Sequence, residues 1–220
     1  MLSAKRDLRQ PPGQKAFDAI AIPVSALGAW AVPTWYRLCR VEFPGQFFPS
    51  KGSRLTPASG DFPCVYLATD QETTVAEVWG DRFAAHRPVA SSSPYVISRE
   101  QAERWAFLET GPLPSDLRLC DLTDAHTRLA VGMDAGSLYA PDLRLPQRWA
   151  ERIARHPARL DGIAYRSRHT DQICLVLWSR AEDAVPLEQR LSFRPAGDFF
   201  DSAAAYAMAG KAGVRLAFAW

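Results

Sequence analysis

Apolar positions along this chain recur with two different spacings. The run Ile173–Trp178, ICLVLW, is the most apolar and predicts a central strand covered on both faces. Cys64–Ala68, CVYLA, predicts a second compact strand. Trp35–Phe43, WYRLCRVEF, alternates and predicts a third, with Tyr36 and Leu38 on one face and Trp35, Arg37, Cys39 and Val41 on the other. Tyr95–Ile97, Leu117–Leu122, Ile163–Tyr165 and Val214–Phe218 predict shorter strands.

After CVYLA the spacing changes to that of a helix. Val75, Val78, Trp79 and Arg82 share one face by the i, i+3, i+4, i+7 rule. Thr69 or Asp70 is the expected N-cap, Thr69-x-x-Glu72 matches a capping box, and the helix runs to about Phe83. Glu77 falls away from the apolar face, so periodicity alone makes it a solvated glutamate. Pro146–His156 predicts a helix opened by proline and stopped by Pro157. Ser202–Ala209 predicts a tail helix, Glu100–Phe107 a helical turn, and residues 17–32 a short helix broken near Pro23.

The rest reads as loops. Residues 1–16 are polar and contain Pro11-Pro12-Gly13, which predicts a loose arm. Pro44–Asp61 is a long proline- and glycine-rich loop whose only arginine is Arg54. Ala84–Pro94 reads as a turn region, and Arg166–Asp171, RSRHTD, as a polar loop. No internal repeat or linker divides the chain. The expected organisation is an N-terminal arm or extension over 1–33 and one α+β domain over 34–220.

Composition narrows the function classes. A chain of 220 residues suits one large domain, since single cores grow to about 250–300 residues. Hydrophobic content of 47% and charged content of 23% are those of an ordinary globular protein. A formal charge of +2, with scattered arginines, does not favour a nucleic-acid binder. Cys39, Cys64, Cys120 and Cys174 form no C-x-x-C pair, and the histidines are dispersed, so no zinc site is expected. Cysteines in apolar strands predict buried reduced thiols and a cytoplasmic setting. The apolar stretch at 17–32 contains Asp18 and Pro23 and falls short of the roughly 20 residues of a membrane span, so neither a signal nor a span is expected.

An arginine on an apolar strand face needs a partner, because an unpaired buried charge is costly. Arg37 is therefore either one half of a structural ion pair or an anion-binding group in a cleft. No G-x-G-x-x-G opens a helix after a strand, which excludes a Rossmann dehydrogenase.

Four features stand in order: Arg37 in WYRLCRVEF, Gly52-Ser53-Arg54, Glu77 in YLATDQETTVAEV, and Ser167 in DGIAYRSRH. Together they resemble the RES-domain family, named for its Arg, Glu and Ser. The matching positions are Arg37, Glu77 and Ser167, and the resemblance runs from about Tyr36 to Trp178. One departure is GSRLTP, which lacks the aromatic that relatives carry after this arginine (GGRWN or GSRFDP). The resemblance implies a fold similar to ADP-ribosyltransferase toxins, a compact α+β domain with two small, mostly antiparallel sheets, flanking helices and an NAD cleft. It implies NAD as a consumed substrate, with no cofactor or metal and with inorganic phosphate as one candidate co-substrate. The reaction would be hydrolysis, phosphorolysis or ADP-ribosyl transfer to a protein, and a cognate antitoxin would be the partner. The sequence leaves a homo-oligomer open.

These residue types suit that chemistry. Breaking the ribose–nicotinamide bond builds an oxocarbenium-like centre, which a carboxylate such as Glu77 stabilises. Arg37 and Arg54 suit the pyrophosphate oxygens. Ser167 would hydrogen-bond a phosphate or ribose oxygen, Tyr66 and more weakly Tyr36 would contact ribose or nicotinamide, and Arg168 or His169 would meet a phosphate acceptor. The competing reading is a non-catalytic module that binds an ADP-ribose-like ligand or a protein.

Overall fold

The computed structural model describes residues 8–26, 32–48, 52–87 and 93–219. In chain order the elements are α1 (Gln14–Phe17), β1 (Val24–Ala26), β2 (Trp35–Arg40), β3 (Cys64–Ala68) and α2 (Gln71–His86). Then come β4 (Tyr95–Ser98), α3 (Arg99–Glu103), β5 (Trp105–Thr110), β6 (Arg118–Asp121), α4 (Ala125–Val131), α5 (Ala135–Leu138) and α6 (Arg144–Ala154). The chain closes with β7 (Gly162–Arg166), β8 (Ile173–Trp178), α7 (Leu187–Arg190), β9 (Phe193–Asp198), α8 (Ala203–Lys211) and β10 (Leu216–Ala219).

The strands form one eight-stranded sheet, in the order β1-β6-β7-β8-β3-β2-β5-β9, and one two-stranded pair, β10-β4. This differs from two small sheets, although the pairing is mostly antiparallel; only β6–β7 and β4–β10 run parallel. The large sheet has one weak seam. β3 pairs along its length with β8, and β2 along its length with β5, but among the described residues β2 pairs with β3 only through Tyr36↔Ala68. The two halves therefore part beyond that pair and leave room between them.

Period-2 alternation explains how the central strands serve two cores. Cys64, Ala68, Ile163, Tyr165, Cys174, Val176 and Trp178 face one cluster, which also holds Trp149 and Ile153 of α6. Val65, Leu67, Ala164, Leu175 and Leu177 face a second cluster with Trp35 and Leu119. A third cluster packs Val75, Trp79 and Phe83 of α2 on Phe107, Phe199 and Met208. Burying side chains of this size contributes about 1.5–3 kcal/mol each. Gly162 permits the close β7–β8 approach, since a Cβ there would lie 2.3 Å from the Val176 carbonyl oxygen.

Several expectations change. Residues 105–110 form β5 rather than the end of a helical turn, and β9 was not foreseen. In place of a helix over 17–32 the described part holds the tip of α1, a turn and β1; 27–31 lie outside the described residues. The expected loose arm is tied down over 8–16: the Arg9 carbonyl accepts from Ser137 Oγ and from Trp149 Nε1. Phe17 is fully buried. β2 ends at Arg40, and α2 runs on to His86, into the expected turn region. All four cysteines are free and buried. Among the described residues no helix is long and apolar enough to cross a membrane.

Candidate functional site

α2 is capped by Asp70, whose Oδ1 accepts from the Thr73 amide at 2.7 Å and whose Oδ2 accepts from Thr73 Oγ1 at 2.9 Å. The cap is thus Asp70 rather than a Thr69–Glu72 box. Thr73 Oγ1 also lies 3.0 Å from Thr170 Oγ1, which ties the start of α2 to the loop after β7. Both supports of the site, a helix and a loop, are fastened at this point.

The helix then presents Glu77 on its exposed side while Val75, Ala76 and Trp79 are buried. Glu77 is not simply solvated. Its Oε1 accepts from Ser167 Oγ at 2.7 Å and its Oε2 from Tyr165 OH at 2.9 Å. Ser167 is buried, and its Oγ also accepts from the His169 amide at 3.2 Å. Burial and the Glu77 charge push the Tyr165 phenol well above its ordinary value, so it remains a donor. Both fixing groups are neutral hydroxyls, and among the described residues Glu77 forms no ion pair. Its negative charge is oriented but not neutralised.

Glu77 lies on the wall of a cleft of about 660 Å³ that opens at the β2–β3 seam. The cleft also takes in Arg37, Arg54, Tyr66, Tyr165, Arg168 and His169, with Trp105, Tyr139 and Phe43 among its aromatic lining. Its size falls in the roughly 300–1,000 Å³ range of small-ligand sites. Arg37 Nη1 donates to the Gln46 carbonyl at 2.8 Å and, among the described residues, faces no carboxylate. Burial lowers its guanidinium from the ordinary value, and Cys39 opposes that shift more weakly. Of the two alternatives open for Arg37, the structural ion pair is not seen among the described residues. Arg54 Nη1 donates to the Ala140 carbonyl. Burial and then the Arg168 charge hold Arg54 down, while Asp81 and Glu77 act the other way. Arg168 is paired with Asp81, one turn beyond Glu77 on α2.

The other expected residues separate. Tyr66 reaches the cleft, but its OH is committed: it lies 3.0 Å from Thr56 Oγ1 and accepts from the Leu55 amide at 3.1 Å. Tyr66 therefore fixes the 52–57 loop that carries Arg54. Tyr36 does not line the cleft; it lines a separate surface hollow with Asp70, Gln71 and Thr170. Ser167 acts on Glu77 rather than lining the cleft. The residue that sequence reasoning missed is Tyr165. Its signal was the strand period, since Tyr165 and Ser167 stand two apart and share a face. Asp81 was missed too, though it lies four residues past Glu77 on the same helical face.

The arrangement presents an oriented carboxylate, with no ion pair among the described residues, together with Arg37 and Arg54 on the wall of one cleft of about 660 Å³. No group of His, Cys, Asp and Glu able to hold a metal occurs among the described residues. Comparison with curated proteins returns no match. Among solved structures, the chain is similar to a chain of the M. tuberculosis MbcT–MbcA toxin–antitoxin complex. The TM-score is 0.52 at 19% identity, over 84% of this chain and 91% of that one. That likeness shows a shared fold. The model of the RES domain matches residues 34–199. The order Arg37, Glu77, Ser167 and the contact between the last two lie within that span, and the chain belongs to the RES-domain family.

Proposed function

We propose that the chain is an NAD-consuming toxin that cleaves the bond between nicotinamide and ribose, and that a cognate antitoxin neutralises it. The observation that carries the reading is the Glu77 carboxylate, held by Tyr165 and Ser167 without an ion pair, beside Arg37 and Arg54 in one cleft. Membership of the RES-domain family supports the toxin part, as does a fold shared with a chain of a toxin–antitoxin complex.

In the proposed step the C1′–N bond breaks and its electron pair leaves with the nicotinamide nitrogen, which becomes neutral. Positive charge develops at C1′ and the ring oxygen. Glu77, hydrogen-bonded to the ribose hydroxyls, stabilises that charge. That no cation forms an ion pair with it among the described residues matters, because a cation in direct contact would oppose the developing charge. Arg37 and Arg54 hold the pyrophosphate, where guanidinium donors match phosphate oxygens. An acceptor oxygen from water, phosphate or a protein side chain completes the bond to C1′.

The test is to incubate the protein with NAD, with and without phosphate, and to follow free nicotinamide and labelled ADP-ribose products. Release of nicotinamide is expected. Absence of release and of labelled protein in both buffers would leave the competing reading, a module that binds an ADP-ribose-like ligand without cleaving it.

A further inference from the structure

His169 is the one imidazole on the cleft wall, next to Glu77 and Arg168 among the described residues. Its amide donates to Ser167 Oγ at 3.2 Å, and that same oxygen donates to Glu77 at 2.7 Å. The ring is therefore placed from the same loop that orients the carboxylate. It lies face-on over Gly80: a Cβ added there would meet Cε1, Nδ1 and Nε2 all at 2.9 Å. Glycine at this turn of α2 gives the imidazole its seat. Nε2 stands 3.6 Å from Asp81 Oδ1, too far for a hydrogen bond, and neither ring nitrogen is hydrogen-bonded among the described residues.

Taking the NAD-cleaving reading as its basis, we infer that His169 is the proton acceptor for the O–H nucleophile that attacks ribose C1′. As the nucleophile's lone pair forms the C1′–O bond and the C1′–N pair leaves with nicotinamide, the O–H proton passes to Nδ1 of His169, the ring nitrogen away from Asp81. It is then lost to solvent. Asp81, on the far side of the ring, favours the imidazolium that forms. Glu77 is thereby spared the proton and keeps its charge for the sugar.

The charged groups facing the ring are Arg168 beside it, Glu77 and Asp81 from α2, and Arg54 from the 52–57 loop. Burial first, and then Arg168, lower the imidazole from its ordinary value, against the opposing pull of Glu77 and Asp81. A lowered value keeps the ring neutral, and so able to accept a proton, at neutral pH. Activity should therefore hold down to below about pH 6.5, the usual imidazole midpoint, and fall as the ring becomes protonated.

The experiment measures nicotinamide release against pH for wild type, His169→Ala and Gly80→Ala, each with and without phosphate. His169→Ala is expected to lower kcat by about 10²–10⁴-fold, with KM for NAD little changed. It should lose the wild-type acid limb and regain activity with added imidazole. Gly80→Ala keeps the imidazole but pushes it from its seat, so a smaller loss of the same kind is expected while the protein stays folded. A loss seen only without phosphate assigns water as the O–H nucleophile; one seen only with phosphate assigns the phosphate O–H. Wild-type kcat and an unchanged acid limb in His169→Ala would overturn the inference while leaving NAD cleavage standing. A loss that imidazole does not restore and that follows a lower melting temperature would overturn it as well. A wild type that releases no nicotinamide in either buffer removes both readings together.

Discussion

Glu77 and Asp81 lie one turn apart on α2, yet their partners differ in kind. Asp81 is paired with Arg168 and faces His169. Glu77 is gripped by two neutral hydroxyls. An ion pair at Glu77 would offset the charge that the proposed cleavage requires, whereas Tyr165 and Ser167 fix its direction without pairing it. Tyr165→Phe removes one of the two grips without changing the packing of the ring. It is expected to leave the melting temperature within a few degrees and to lower the rate of nicotinamide release by about 10- to 100-fold, the cost of a misplaced catalytic group. A Tyr165→Phe enzyme with wild-type kcat would show that Ser167 alone suffices. Arg37→Lys is expected to raise KM for NAD more than it lowers kcat, because an ammonium cannot reproduce the guanidinium fork; steady-state kinetics separate the two.

At the scale of elements, the site depends on how α2 and the loop after β7 are fastened together. Asp70 caps the helix through Thr73, and Thr73 reaches Thr170 in that loop. Asp70→Ala is expected to cost about 1 kcal/mol of stability. That is a fall in melting temperature of roughly 2–4 °C for a domain of this size, readable by calorimetry, and it should come with lower activity because the loop carries Ser167 and His169. These elements show what the sequence made legible. ICLVLW and CVYLA were readable to the residue, because a buried strand has no polar position to blur its ends. Glu77 was placed correctly on the far side of α2, but periodicity sees only the helix's own core. It could not see that Tyr165 and Ser167, from β7 and the following loop, would cover that side. β5 and β9 were hidden for a different reason. WAFLET follows a helical turn directly and FRPAGD carries proline and glycine, so neither shows clean alternation. β9 is tolerable in that form because it is the edge strand of the sheet.

At the scale of the molecule, the cleft follows from topology. A sheet whose two halves pair, among the described residues, only at Tyr36↔Ala68 opens a gap beyond that pair. Arg37 comes to it from one half, Tyr66 and Tyr165 from the other, and Glu77 from the helix that follows β3. The half that carries Tyr165 depends on the tight β7–β8 contact at Gly162. Gly162→Ala would drive a Cβ into the Val176 carbonyl, so the strands must separate. Overpacking of this kind costs about 1–3 kcal/mol, and displacement of β7 should carry Tyr165 off Glu77. Lower melting temperature and lower activity are expected together, whereas Tyr165→Phe should separate them. The central claim is that Glu77 acts on NAD rather than on bulk water. It is tested most directly by nicotinamide release at saturating NAD from wild type and Glu77→Gln side by side, with matched melting curves. Steady release by wild type and a loss of at least about 10²-fold in a folded Glu77→Gln, on the scale typical of a lost electrostatic stabiliser, is the predicted result. Equal rates from the two proteins would contradict it.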